Sequence, residues 1–452
     1  MIIKNVTVID GTGKAPQVGV DVLINGGQFA DIRPTGTDFS TTSGGVDGEP
    51  VLDGRGGYLL PGLWESHTHL SGLDKTGTEA EWAAYQRTML AGYVRTGITS
   101  VCDLGGPLAE TRRLRREATG ATGAAGAAGA GDAEPSLFFA GPAITGIDGW
   151  PLQEPRGGFE TTESADDDVD ITSVLALQAD SVETGLRHVR RLLDEVDYVK
   201  CIYETRPGHG RQLPQAALEA IVAAAHDAGK KVLVHISTGA DMREAALAGA
   251  DCIEHALIPR DPSDLSEAEQ LAELLARTGT LYCPTIITWE QLARGADRAY
   301  LDELIADGIV APEDVAEITA RPTYGMSIPH HPLEDSKIGF DYAMRTLCLF
   351  HEAGVKLVAG SDFAQTMPTP AHALLRELQL FAKAGIPCAD VISAATAHAA
   401  AKVGRQDTVG TIATGSTADA ILLDADPLAD ITHLTDARHR RAVVKSGRVV
   451  RH

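Results

Sequence analysis

His67 and His69 stand two residues apart at the end of an apolar run, LLPGLWESHTHL. In an extended strand, residues two apart point to the same side, so both imidazoles can face one cation. Four further residues end or interrupt similar runs: Lys200 in YVKCIYE, His235 in KVLVHIS, His255 in CIEHA and Asp362 in KLVAGSDF. Taken singly, each is compatible with a satisfied core histidine or a paired charge. Taken together, imidazoles, an amine and a carboxylate at five strand ends make a set suited to divalent metal ions.

The elements that must position these residues follow from the alternation around them. Between Leu59 and about residue 405, eight short apolar runs alternate with amphipathic stretches such as EAEWAAYQRTMLAGYVRT and PQAALEAIVAAAHDAG. Strict strand and helix alternation predicts an α/β fold with a parallel sheet, and eight repeats predict a (β/α)₈ TIM barrel over residues 61–405. The candidate ligands then fall at the C-terminal ends of strands, the face where barrel enzymes build their sites. Residues 1–60 alternate β-branched runs with turn clusters, and DAILLDA and RRAVVKSGRVVR restore that pattern near the end. The two ends, 1–60 and 406–452, are expected to form one small composite β-sandwich domain. A Gly/Ala-rich insert at 118–134 reads as a flexible connection, and the long polar stretch 147–172 as either a lid over a site or a solvated acidic loop.

The 452 residues carry 39 Lys+Arg against 62 Asp+Glu, a net charge of −23, and 44% are hydrophobic. So much apolar content excludes disorder over the whole chain. So negative a surface argues against nucleic acid and anionic membranes as partners, leaving a small-molecule substrate. The six cysteines form no CxxC and lie in apolar stretches, as reduced thiols do. No basic and apolar leader opens the chain and no run of about 18 apolar residues interrupts it, so a cytoplasmic homo-oligomer is the expectation. GTGK near residue 11 reads as a hairpin turn, and neither GxGxxG nor GxSxG is present in a strand-to-helix context, so nucleotide cofactors and a serine nucleophile are unsupported.

The runs PGLWESHTHL, VKCIYE, VLVHIST, GADCIEHAL and AGSDFA, in that order, resemble the metal-dependent amidohydrolase superfamily. The likeness extends from IIKNVTVIDGTG at the start to ADAILLDADPLADI and VVKSGRVV at the end, and VHISTGADMREAALAGADCIEHAL and GITSVCDLGG resemble its imidazolonepropionase-like and prolidase-like branch. The resemblance implies a binuclear centre, with His67 and His69 on one metal and His235 and His255 on the other. Lys200, carbamylated by CO₂, would bridge them, and Asp362 would touch the first metal. Zinc is the expected ion, with manganese, iron or cobalt as substitutes. The implied reaction is hydrolysis of an amide or peptide-like C–N bond by a hydroxide generated between the metals, in the manner of a metallopeptidase. Asp362 would carry the proton to the departing amine, and the substrate class is guessed as a dipeptide or N-acyl amino acid.

One departure bears on the substrate: the region after the third strand, GIDGWPLQEPRGG, lacks the histidine that relatives often carry there. Candidates for holding a substrate carboxylate lie instead in YETRPGHGRQ, namely Tyr203, Arg206, His209 and Arg211, arginine being best suited to a two-pronged contact. His330 and His331 read as loop residues, His398 as packing, and His372 stays open as a residue close behind the eighth strand. Two other readings remain. A mononuclear deaminase or cyclic amide or lactone hydrolase would use His67, His69, His235 and Asp362, with Lys200 an ordinary amine. A metal-free scaffold protein would be expected to have lost ligands, and every one is retained.

Overall fold

The computed structural model describes residues 1–37, 39, 50–71, 78–118, 134–150, 152, 170–205, 210–294, 297–310, 312, 315–320, 333–362 and 370–450. Most of the 118–134 insert and most of the 147–172 stretch fall outside those residues, as do Arg206, His209, His330 and His331.

Four strands open the chain: β1 (Ile2–Val8), β2 (Gln17–Asn25), β3 (Gln28–Pro34) and β4 (Val51–Pro61). Nine short strands follow: β5 (Leu63–Thr68), β6 (Ile98–Asp103), β7 (Ser136–Phe139), β8 (Ala143–Thr145), β9 (Ala176–Gln178), β10 (Val199–Ile202), β11 (Val232–His235), β12 (Cys252–Glu254) and β13 (Leu281–Cys283). β14 (Ala420–Leu423), β15 (Arg440–Lys445) and β16 (Arg448–Val449) end it. The first four and last three strands form a single seven-stranded sheet in the order β16-β15-β14-β4-β1-β2-β3. The two ends thus meet where β14 runs antiparallel to β4, within this one hydrogen-bonded sheet. Val6, Val22, Phe29, Leu59, Leu422 and Val444 line its buried side.

The intervening strands are parallel and form two sheets, β5-β6-β7 and β13-β12-β11-β10-β8-β9. β5 and β6 are buried along their whole length, as a parallel sheet covered by helices requires. The arrangement is TIM-barrel-like, but among the described residues the eight even strands read from the sequence do not form a continuous closed ladder. The third of them is broken by Gly141, at φ +64°, and Pro142, which has no N–H to donate, so it becomes β7 and β8. The eighth is reduced to one parallel bridge between Tyr282 and Leu357. Single bonds hold this last segment in place: Val358 donates to Tyr282 O (2.8 Å) and Asp362 to His67 O (2.7 Å). Residues 356–362 therefore lie between β13 and β5. β9, three residues long, is too short to show a period in the sequence.

Gly360 explains why the eighth segment can come so close. A Cβ there would meet His67 Cβ at 2.8 Å, Ser66 Oγ at 2.8 Å and Cys283 Sγ at 2.9 Å. Within the sheets a layer including Trp64, Cys102, Tyr198, Leu233, Cys252, Cys283 and Val358 forms a dry floor, the packed interior typical of such sheets. All six cysteines are free thiols. Among the described residues, no helix is long and apolar enough to cross a membrane.

Outside the sheets, Glu377 on the helix Pro370–Lys383 is buried and accepts N–H bonds from Ile286 (2.9 Å) and Ile287 (2.7 Å), at the start of the helix Ile286–Arg294. Burial outweighs those donors and pushes its carboxyl from 4.5 up to about 8. A carboxyl raised in this way favours the folded state below its unfolded pKa. That contribution fades as pH climbs from about 4.5 towards about 8, at up to about 1.4 kcal/mol per pH unit. Glu377→Gln is therefore expected to flatten the decline of the thermal unfolding midpoint across this window. An unchanged decline in a pH series of unfolding scans would contradict the assignment.

Candidate metal centre

The strand ends bring the candidate ligands to one mouth. The Asp362 carboxylate lies among three imidazoles: Oδ1 is 3.1 Å from His69 Nε2 and 3.4 Å from His67 Nε2, and Oδ2 is 3.7 Å from His255 Nδ1. Ring centroids are 4.8 Å apart for His67 and His255 and 4.4 Å apart for His235 and His255. His255, Thr285 and Asp362 all sit at positive φ (78°, 47° and 49°), so the chain turns sharply where each strand reaches the mouth. Such backbone, unfavourable for residues with a Cβ, is held by its surroundings and recurs at functional sites.

The electrostatics suit a cation. Burial and the nearby Lys200 push His67 down to about 3, and burial with His235 holds His255 well below the ordinary histidine range. Both rings are neutral near pH 7 and keep a lone pair. Burial alone would raise the Asp362 carboxyl, but His67, His255 and His69 outweigh it and hold it well below the usual carboxylate range. His67 Nε2 is buried and has no hydrogen-bond partner. An imidazole lone pair and a carboxylate oxygen then face each other at 3.4 Å, two acceptors with nothing donated between them. A divalent ion satisfies both, and the donor atoms of His67, His255 and Asp362 all lie within 4.8 Å of one another. Lys200 is also buried, its Nζ has no partner, and burial lowers its pKa. The donor set fits the metal centre that the sequence implies.

Residues the sequence reading passed over hold these ligands. His67 Nδ1 lies 2.7 Å from Glu254 Oε2, and His235 Nε2 lies 3.0 Å from Glu204 Oε2, which Ser237 Oγ also contacts at 2.5 Å. His255 Nδ1 lies 3.0 Å from Thr285 Oγ1. Glu65 accepts from the backbone of His67 (3.0 Å) and from the backbone (2.9 Å) and hydroxyl (2.6 Å) of Ser361, pinning β5 to the segment that carries Asp362. Burial raises the Glu65 carboxyl to about 7. A signal was available, since Glu65, Glu204 and Glu254 are carboxylates inside otherwise apolar strand runs, where a charge needs a partner. Lys402 gave none, because a lysine in the last turn of a helix is ordinary.

Of the candidate substrate contacts, Tyr203 and Arg211 are among the described residues. Tyr203 is buried among apolar side chains, its backbone N–H donates to His235 O (2.9 Å) and its hydroxyl donates to Glu244 on the helix Gly239–Leu247. Tyrosine at a strand end packs readily outward against a covering helix, and spacing alone does not reveal this. Arg211 is exposed, its backbone N–H bonded to Ile147 O at 2.8 Å. His398 Nδ1 donates to Leu357 O (2.9 Å) and secures the bridging segment. His372 lies on the helix Pro370–Lys383.

Comparison with known proteins agrees with this geometry. A family model, the amidohydrolase family, matches residues 58–450, and the chain belongs to that family. Its fold resembles a prolidase solved with N-methylphosphonate-L-proline, at TM-score 0.75 and 23% identity over 100% of this chain and 99% of that one. It also resembles a Xaa-Pro dipeptidase with bound methionine (TM-score 0.72, 23% identity, 99% and 98% covered) and the ochratoxinase of A. niger (TM-score 0.69, 21% identity, 99% and 95% covered). The prolidase-like resemblance of the motifs is thus matched in the fold. A dihydroorotase of Thermoanaerobacter sp. (strain X514) is 39% identical over 87 residues, a stretch spanning only 18% of each chain.

Proposed function

We propose that this protein is a binuclear metal-dependent hydrolase cleaving an amide or peptide-like C–N bond, with a dipeptide or N-acyl amino acid as substrate. The observation that carries the reading is Lys200, a buried amine with no partner, within electrostatic reach of His67 and His255. A bare ammonium there is costly, and its lowered pKa favours the neutral amine that captures CO₂. As a carbamate it is a carboxylate on a long arm, suited to bridge two cations. His67 and His69 would hold one ion, His235 and His255 the other, and Asp362 would complete the first. Zinc suits this nitrogen and oxygen set.

When bound, the ions supply polarisation of the scissile carbonyl and acidification of water. The chain's own groups do the rest. Asp362, whose carboxyl lies well below the usual carboxylate range, accepts a proton from the attacking water. It returns that proton to the leaving nitrogen as the C–N bond breaks, so the water is divided between acid and amine products. The dry floor below excludes bulk solvent from the imidazoles. Arg211 is the described residue best suited to a substrate carboxylate, being exposed on the loop that follows β10. The small-molecule substrate, the domain division at residues 60 and 405, the cytoplasmic location and a homo-oligomeric state belong to the same reading.

The test is a panel of dipeptides, N-acyl amino acids, cyclic amides and lactones, assayed with and without chelator, for the protein and for Lys200→Ala. Cleavage of the linear amides, lost on chelation and in Lys200→Ala, is expected. Activity that survives both treatments refutes the proposal. The donor atoms of His67, His255 and Asp362 lie close enough together to hold a single ion, which supports a one-metal alternative in which Lys200 stays an ordinary amine. That alternative predicts one ion per chain and preference for the cyclic substrates.

A further inference from the structure

We infer that Lys402 is a positioning residue that sets the tautomer of His67 through Glu254. The inference rests on the proposed metal centre for its purpose but not for its geometry. Lys402 ends the helix Ala397–Lys402, and its side chain reaches, wholly buried, beneath the imidazole cluster. Its Nζ lies 2.8 Å from Glu254 Oε1, 3.0 Å from Glu254 Oε2 and 2.8 Å from Ser66 O. Two ammonium hydrogens are thereby engaged, one on Glu254 Oε2 and one on the carbonyl just before His67, while Glu254 Oε1 is held by charge alone.

The consequence for His67 follows from hydrogen counting. With its carboxylate gripped by an ammonium, Glu254 can only accept, so the contact at 2.7 Å requires His67 Nδ1 to carry the hydrogen. Nε2 is then left with its lone pair, and that is the buried nitrogen with no partner facing Asp362. The same contacts explain why the second cluster, His67, Glu254 and Cys283, is not a separate ion site. Lys402 already places a positive charge on its carboxylate. The chain Lys402, Glu254, His67 is thus a carboxylate–histidine support of the kind that orients ligands and raises their basicity, extended by a fixed internal cation.

The test uses full-length Lys402→Met, Glu254→Gln and the double variant. Three quantities are read: the ring-nitrogen ¹⁵N shifts of His67 in metal-free protein, the zinc dissociation constant by chelator competition, and the unfolding midpoint. The parent protein should show one tautomer with hydrogen on Nδ1. Each variant should show a mixture, because a glutamine amide or an unpaired carboxyl can pair with either ring form. Zinc affinity should fall about 10- to 100-fold. The double variant removes both buried charges together, so it should recover the unfolding midpoint lost in the single variants while the tautomer mixture and weak zinc binding persist. If Lys402→Met does not fold, the double variant carries the same readouts. Unchanged His67 shifts with zinc affinity within twofold of the parent would overturn the inference, as would a double variant that regains parental shifts and affinity along with stability. Failure of zinc to bind the parent at all would instead count against the metal centre, and the metal-free shifts would still decide the role of Lys402.

Discussion

Asp362→Asn is expected to abolish turnover, lowering kcat by about 10²- to 10⁴-fold, the range by which a positioned general acid–base group contributes. The substitution keeps size and leaves the backbone N–H on His67 O (2.7 Å) intact, so the fold should survive. It removes the charge that three imidazoles stabilise and places an amide NH₂ or oxygen where a proton must be accepted. Steady-state kinetics on whichever linear amide proves to be cleaved, beside thermal unfolding, separates this loss from misfolding. A variant retaining more than about a tenth of parental kcat would remove Asp362 from the chemistry. Since Asp362 is also a candidate ligand, metal content must be measured in the same preparation.

Arg376→Met should produce the largest single loss of stability, about 3–5 kcal/mol. Its guanidinium is buried and binds Glu290 through two contacts (2.8 and 2.7 Å), with Glu303 and Asp307 each at 2.8 Å. These contacts tie the helix Pro370–Lys383 to Ile286–Arg294 and Arg298–Ala306. Glu303 and Asp307 are partly exposed and can return to water, but Glu290 is not. It would be left buried with Tyr300 OH at 2.9 Å as its remaining hydrogen-bond donor and Arg294 Nη1, at 3.6 Å, as its remaining cation. Denaturant unfolding measures the loss, and adding Glu290→Leu should recover most of it, because two apolar side chains replace a broken ion pair. A loss below about 1 kcal/mol would mean the pair is not the clamp the geometry describes.

What the sequence made legible was the set of candidate ligands and the order of the elements carrying them. HxH on an extended run and single polar residues at the ends of apolar runs are period-two and boundary signals, which survive without tertiary context. The long-range pairs were not legible. Glu254 and Lys402 are 148 positions apart, and only the fold places an ammonium under that carboxylate. Ser361 and Glu65, 296 apart, form the clasp that brings Asp362 to His67. The partner of Tyr203 was hidden for a related reason: alternation along β10 says which residues share a face, not which face meets the helix Gly239–Leu247 and its Glu244. The breaks at Gly141 and Gly360 likewise come from close approaches that composition does not announce.

The central claim, two ions bridged by a carbamylated Lys200, is tested most directly by metal analysis of protein prepared with zinc and bicarbonate, together with a high-resolution structure of the same sample. The account predicts two ions per chain and the atoms of one CO₂ on Lys200 Nζ, lying between them. Less than about one ion per chain, with a bare Lys200 amine in a preparation that still hydrolyses its substrate, would contradict it.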